Sequence, residues 1–456
     1  MAERLIGRPR GQASSIFLVF AVALAIFFFA ELSILSVENA VILILALLIF
    51  FIAFVNTEFA LYIFIFSMLF SPEIGAGGIP GRAVVVRAED LFLIVIFFGW
   101  LAKMAINKDL GVVRSNSLNQ PIAIYVFICF LSTLLGLLRG ELFPKSSFFY
   151  LFKYIEYFLL FYLVMNNLRN EKQAKTFVFL ILLTCFLVCL YGLSQIPSGV
   201  RVTAPFEGKE GGEPNTFAGY LLLMMGLIIG FILQYRRHRI VLFGFLGLSI
   251  VVFISTLSRG GWLGFLPMCL VFIVVNKRYR FHLILTLVSL GLLFPFIMPQ
   301  KMRDRIQSTF IKEKSVTLMG NRLDMAESAT ARIDTWNNGM MVWRNHPLLG
   351  TGIPSGNVID NQYIRVLTET GAAGMLVFLW LLAAIASACV RIHRELPDDP
   401  FARAVSSGLL AGMAGILVQS FTSADFILIR VMEPFWFLAA IVVMLPALKE
   451  SGGVAA

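Results

Sequence analysis

Long apolar runs dominate this chain, and short charged segments separate them. The runs fall at 15–33, 40–55, 58–70, 89–106, 121–138, 148–166, 175–192, 215–233, 240–257, 261–276, 281–298, 373–390, 404–422 and 427–446. Most approach the roughly 20 residues that a helix needs to cross hydrocarbon. None alternates with the period of two required of a transmembrane barrel strand. Inside lipid every backbone polar group must be satisfied within its own segment, so the runs predict α-helices. The pattern therefore predicts an all-α polytopic membrane protein with about 12–14 transmembrane helices. The punctuation is weakest at Asn56, Thr57 and Glu58, between the second and third runs. The gap between 298 and 373 predicts a large loop, 299–372, carrying short amphipathic helices. In it Arg332 and Trp336 stand four apart, followed by Met340 and Met341, the spacing of a surface helix. Three regions result: N-terminal transmembrane helices over 1–192, a core over 193–446 that includes the loop, and a tail over 447–456.

Composition agrees. The chain has 456 residues, of which 59% are hydrophobic, and a mean hydropathy of +0.85, more apolar surface than a soluble core requires. The net charge of +10 raises nucleic acid as a partner. The basic residues are scattered over many short loops with no stripe interleaved with aromatics, so nucleic acid is not expected. Instead they mark topology. Arg4/Arg8/Arg10, Lys103/Lys108/Arg114, Arg169/Lys172/Lys175, Arg236/Arg237/Arg239, Lys277/Arg278/Arg280 and Arg391/Arg394/Arg403 fall on alternate segments. The positive-inside rule puts these and both termini in the cytoplasm, and the loop 299–372 outside. The first run lacks a small-residue cleavage site and leads straight into another span, so it reads as a transmembrane helix rather than a signal peptide. Cys129, Cys185, Cys189, Cys269 and Cys389 all lie in apolar runs and read as core residues. No metal-ligand spacing involves the four histidines.

Three outer segments carry candidate chemistry. In the turn Ser258-Arg259-Gly260-Gly261, Ser258 can cap the next helix and the glycines let backbone N–H groups approach an anion beside the guanidinium. A second segment holds Arg201 and then Glu213-Pro214-Asn215, with Asn215 a candidate helix cap. Two outward helix starts, each with an arginine, suggest a doubly anionic ligand. The third segment ends in DNQYIRVLTETGAAG, where Asp360, Asn361, Gln362, Tyr363, Arg365 and Glu369 crowd before an apolar helix. Asp360-Asn361 reads as its cap, and the cluster as facing an acceptor at the mouth of a lipid-accessible cavity. His346, before a proline at a helix end, reads as structural. Lys153 with Glu156, and Asp425 with Arg430 and Glu433, read as structural pairs in or near the spans.

The segments SRGGWLG, EPNTFAGYLL, Arg332 with Trp336, HPLLGTG and DNQYIRVLTETGAAG resemble the O-antigen ligase and Wzy-type polymerase superfamily. The resemblance covers roughly 190–440. It implies a metal-independent, inverting glycosyltransferase of the bacterial inner membrane, with no cofactor. Its expected partners are an undecaprenyl-diphosphate-linked glycan, an acceptor glycan or glycolipid, membrane lipids and a chain-length regulator. It also implies that Arg201 and Arg259 bind the pyrophosphate. Asn215, Ser258, Arg332, Trp336, Asn361 and Tyr363 are then expected to line the substrate site, with Asp360 as the catalytic group. Asp360 stands where ligases of this kind place a histidine, which favours a polymerase of O-antigen or exopolysaccharide over a ligase to lipid A-core. Because pyrophosphate already leaves as a stable anion, arginines aimed at the developing charge carry much of the rate. A carboxylate is a weaker base than imidazole at neutral pH. Asp360 is thus expected either to bind its proton unusually tightly or to orient the acceptor hydroxyl. The rival class is a small-anion transporter, which would place its ionisable groups near the bilayer midplane. Here they lie at helix ends.

Overall fold

The computed structural model describes residues 48–79, 82–107, 114–206, 213–298, 300–307, 314–318, 321–325, 327–356 and 359–453. The run at 15–33 and most of that at 40–55 lie outside them. The described residues fall into two compact units, 48–61 with 91–107 and 62–90 with 114–453. In the first, a methyl group at Gly99 would lie 3.1 Å from the Ala53 Cβ, so two helices touch closely there. Lys103 donates to the Val55 carbonyl at 3.3 Å.

A helix forms at every apolar run from 58 onward. In chain order these are α1 (Thr57–Phe70), α2 (Ala88–Asn107), α3 (Asn119–Leu138), α4 (Pro144–Asn167), α5 (Glu171–Gln195), α6 (Pro214–Gln234), α7 (Arg239–Ser255), α8 (Arg259–Val275) and α9 (Arg280–Ile297). The loop then contributes α10 (Gln300–Gln307) and α11 (Glu327–Asn345), and the chain ends with α12 (Gln362–Glu395), α13 (Pro400–Gln419) and α14 (Ile429–Gly453). Among the described residues seven helices are long and apolar enough to cross a membrane, or eight if the pair around α8 and α9, bent by 104°, forms one span. Of the other described helices, α1 has 14 residues and α7 and α8 have 17 each, short of a full crossing, and one expected run and most of another lie outside the described residues. The all-α membrane architecture stands. Two short antiparallel hairpins were not foreseen: β1 (Glu73–Ile79) with β2 (Arg82–Arg87), and β3 (Lys314–Leu318) with β4 (Asn321–Met325). The second lies in the loop, where only amphipathic helices were expected.

The heart of the second unit is the contact of α6 with α13. Lipid tails are as apolar as leucine, so helices associate where small residues let their backbones meet. A methyl group at Gly226 would sit 2.8 Å from the Gly408 carbonyl oxygen, and one at Gly412 would sit 2.9 Å from the Leu223 Cα. On the next face of α13, a methyl at Gly415 would lie 3.0 Å from the Gly264 carbonyl of α8. Thus α13 holds α6 and α8 together by backbone contact.

The opening of α12 explains two of the motifs. Gly371 has φ +68, outside helical geometry, and breaks the helix. The segment 347–352 repairs the break. Ala372 and Ala373 N–H groups donate to the Pro347 and Leu348 carbonyls at 2.8 and 3.1 Å. Thr351 and Gly352 N–H groups in turn reach the Thr368 and Glu369 carbonyls, each at 2.9 Å. HPLLGTG and TETGAAG are therefore two halves of one backbone patch. His346 holds its end down: its Nε2 lies 2.9 Å from Glu141 Oε1 and its Nδ1 lies 3.0 Å from an Arg139 guanidinium nitrogen. That is a structural role, as the sequence suggests.

Most of the polar cluster at the start of α12 turns inward rather than toward an acceptor. Arg365 pairs with Glu369 at 3.0 Å, and the Tyr154 hydroxyl donates to Glu369 at 2.6 Å, all buried. Lys153 pairs with Glu156 at 3.6 Å as expected and also with Asp90, which the sequence reading missed. Asp425, Arg430 and Glu433 do not form the local group expected of them: Asp425 bonds Gln419 and Ser420, and Arg430 reaches the Phe206 carbonyl at 3.3 Å.

The α6–α13 contact predicts that Gly226→Val, which forces overpacking against backbone, lowers stability by about 1–3 kcal/mol. Gly244→Val on α7, where a side chain would meet open space, should change it little. Thermal unfolding of both variants in one detergent checks this; equal midpoints would remove the claim.

Candidate active site

The end of α13 and the turn after it tie the site together. Gln419 Nε2 donates to the Asn215 carbonyl at 2.7 Å and to Asp425 Oδ1 at 3.0 Å. The Ser420 hydroxyl donates to Asp425 Oδ2 at 3.1 Å, and its carbonyl accepts the Gln362 N–H at 2.9 Å. The Phe421 carbonyl accepts from the Asn361 side chain at 3.0 Å. Gly260 comes so close to Thr422 that no side chain fits at that position. One turn thus fixes the starts of α6, α8 and α12. Asp425 is fully buried. Burial raises its affinity for a proton, the hydrogen bonds from Ser423, Ser420 and Gln419 offset part of this, and Glu213 adds to it. The net result is a pKa pushed up to about 7.

Four arginines converge beside this turn. The segment 201–204 is pinned by backbone: the Val202 N–H reaches the Ser255 carbonyl at 3.1 Å, and Gln195 bonds the Thr203 carbonyl at 2.8 Å. Arg201 donates through Nε to the Thr256 carbonyl at 2.9 Å and through a terminal nitrogen to Asn215 Oδ1 at 3.2 Å. Leu257, at φ 51, turns the chain from α7 into α8 in a strained conformation of the kind that functional sites retain. Ser258 then caps α8, accepting from the Gly261 N–H at 3.3 Å, and Arg259 follows as the first helical residue. Burial and then the charges of Arg305, Arg332 and Arg259 pull the Arg201 pKa down to about 10. Its guanidinium still carries a full charge at neutral pH. Half-buried like charges repel, and an anion is the natural partner that relieves them.

The other expected residues are distributed as follows. Asn215 is not the cap of α6; Glu213 occupies that position and Pro214 follows. Proline at the first helical position shifts the cap back and frees the Asn215 amide oxygen to orient Arg201. Asn361, not Asp360, caps α12, accepting from the Tyr363 and Ile364 N–H groups at 3.0 and 3.1 Å. Asp360 is exposed one residue earlier. The Tyr363 hydroxyl is committed to the Leu417 carbonyl at 2.6 Å, and its ring lies 4.6 Å from that of Phe421. On α11, Arg332 and Trp336 are half-buried and share one face, with the Trp336 indole N–H buried without an acceptor. A depression of about 500 Å³ lined by Ser387, Arg391 and Arg394 lies at the far end of α12 and shares none of these residues.

Residues 244–379 match the family model described as O-Antigen ligase. That stretch of the chain is therefore similar to the O-antigen ligase family. The match takes in Ser258, Arg259, Arg332, Trp336, Asp360, Asn361 and Tyr363, while Arg201 and Asn215 precede it. No curated protein matches the sequence. The arginines of α8 and α11, inside the matched region, act by their charge on Arg201, which stands ahead of it. Three residues of the site were missed from sequence: Gln419, Asp425 and Arg305. Only Asp425, a carboxylate beside apolar spans, gave a signal, and it was read as part of a structural pair.

Because the folded protein raises the proton affinity of Asp425, its stabilising contribution is full below the ordinary value of 3.8 and is lost as pH rises toward about 7. Thermal midpoints in detergent should therefore fall across that window, and Asp425→Asn should flatten the fall. A parallel pH profile for the variant would rule Asp425 out as the titrating group.

Proposed function

We propose that this protein is a bacterial inner-membrane glycosyltransferase that moves a glycan from undecaprenyl diphosphate to a sugar hydroxyl, on the exoplasmic face, as a polymerase of O-antigen or exopolysaccharide. The observation that carries the reading is the convergence of Arg201 and Arg259 from separate elements within electrostatic reach of each other. The matched family supports glycan transfer as the chemistry.

In this mechanism Arg201, held by Asn215 and the Thr256 carbonyl, and Arg259, at the positive start of α8, grip the two phosphates. The acceptor oxygen attacks the anomeric carbon from the face opposite the diphosphate. The bond from that carbon to the phosphate oxygen breaks, and its electron pair leaves on the lipid diphosphate. The growing charge falls on guanidinium groups already in place. The acceptor proton passes to Asp360, which Asn361 places at an exposed position by fixing the start of α12. No metal or cofactor enters the scheme. Transfer to lipid A-core is the second reading, favoured by the description of the matched family.

Purified protein in a bilayer, given an undecaprenyl-diphosphate glycan, should lengthen the glycan without any other acceptor. Product only on addition of lipid A-core would establish the second reading, and no product with either would remove both. Arg201→Ala and Arg259→Ala should each lower turnover at least about 100-fold, the scale of losing a transition-state charge partner, while the protein remains inserted. Asp360→Ala and Asp360→Asn should cut turnover strongly and Asp360→His partly restore it. Full turnover in Asp360→Ala would leave Asp360 no chemical role.

A further inference from the structure

The fourth guanidinium of the cluster belongs to Arg305, which the transfer scheme does not use. It stands on α10, an eight-residue helix with the sequence QKMRDRIQ. Two contacts dock this helix. Met302 is 2% exposed, and Lys301 donates to the Gly199 carbonyl at 3.3 Å. Gly199 opens the same segment that carries Arg201. Arg305 lies three residues after Met302, so it shares the docked face, and it is half-buried. Arg303, two residues earlier, points elsewhere and is exposed.

Arg305 therefore belongs to the site rather than to a solvated surface. Of the three guanidiniums that act on Arg201, its charge acts most strongly, and it acts on Arg259 more strongly than Arg332 does. Its helix is tied to the 199–206 segment by the Lys301 bond to the Gly199 carbonyl. The ligand must also gain negative charge as the reaction proceeds, since the phosphate oxygen that held the sugar becomes an anion. A further cation at the rim is most useful at that stage.

We propose that Arg305 is a further ligand of the lipid diphosphate, closing the arginine cluster from the side of α10. The inference rests on the transferase reading for the identity of the anion but not for its test. The test is binding of undecaprenyl diphosphate, which carries no sugar to transfer, to the full chain in nanodiscs. Arg305→Gln should weaken binding about tenfold or more, the loss of one charged hydrogen bond, and should reduce its salt dependence. Arg305→Lys should keep most of the affinity, and Arg303→Gln all of it. Equal binding by Arg305→Gln and wild type, equal losses in Arg303→Gln and Arg305→Gln, or no binding by wild type would each overturn the proposal. Arg305-dependent binding without any glycosidic product would uphold it and remove the transferase reading instead.

Discussion

Backbone meeting backbone between α6 and α13 is the constraint on which the rest of the second unit depends. Glycines at 226, 408 and 412 leave no room for side chains there, and lipid offers no hydrophobic drive to substitute for that contact. Once the two helices touch, the last residue of α13, Gln419, lies against the first turn of α6 and bonds the Asn215 carbonyl. The turn that follows then receives α12 through Asn361 and Gln362, and α8 through Gly260. Helix packing deep in the bundle thus sets where the polar groups stand at its end.

Those groups divide by burial. Arg365, Glu369 and Tyr154 pair with one another inside the protein, where unpaired charge is costly. Arg201, Arg259, Arg305 and Arg332 stand instead as charges of one sign, each half exposed. Asn215 and Asn361 serve between them: each amide fixes a neighbour, an arginine in one case and a helix start in the other. Asp360 is thereby presented at an exposed position.

Much of this was legible in the sequence. Each apolar run from 58 onward gave a helix, because hydrocarbon-length segments have no other satisfied backbone conformation. Arg259 stood out because a charged residue beside glycine, between two spans, is rare without a partner. The remainder was hidden for physical reasons. The α6–α13 contact joins residues nearly 200 positions apart, and glycines in membrane helices do not name their partners. Gln419 lies inside the apolar run 404–422 and carried no signal of its own. The polar cluster at 360–369 was read as one surface, whereas helical geometry sends Asp360 outward and Arg365 and Glu369 inward.

The repaired break in α12 also bears on which positions can vary. The patch between 347–352 and 368–373 is written almost wholly in peptide groups, so it asks for chain shape and is indifferent to most side chains. Leu348, 73% exposed, contributes its carbonyl and little else. Gly350 and Gly371 are different, since each holds a positive φ with peptide atoms packed against the place a side chain would need. Drift among homologous chains should therefore spare the two glycines and wash over Leu348, leaving a signature defined by its gaps rather than by its chemistry.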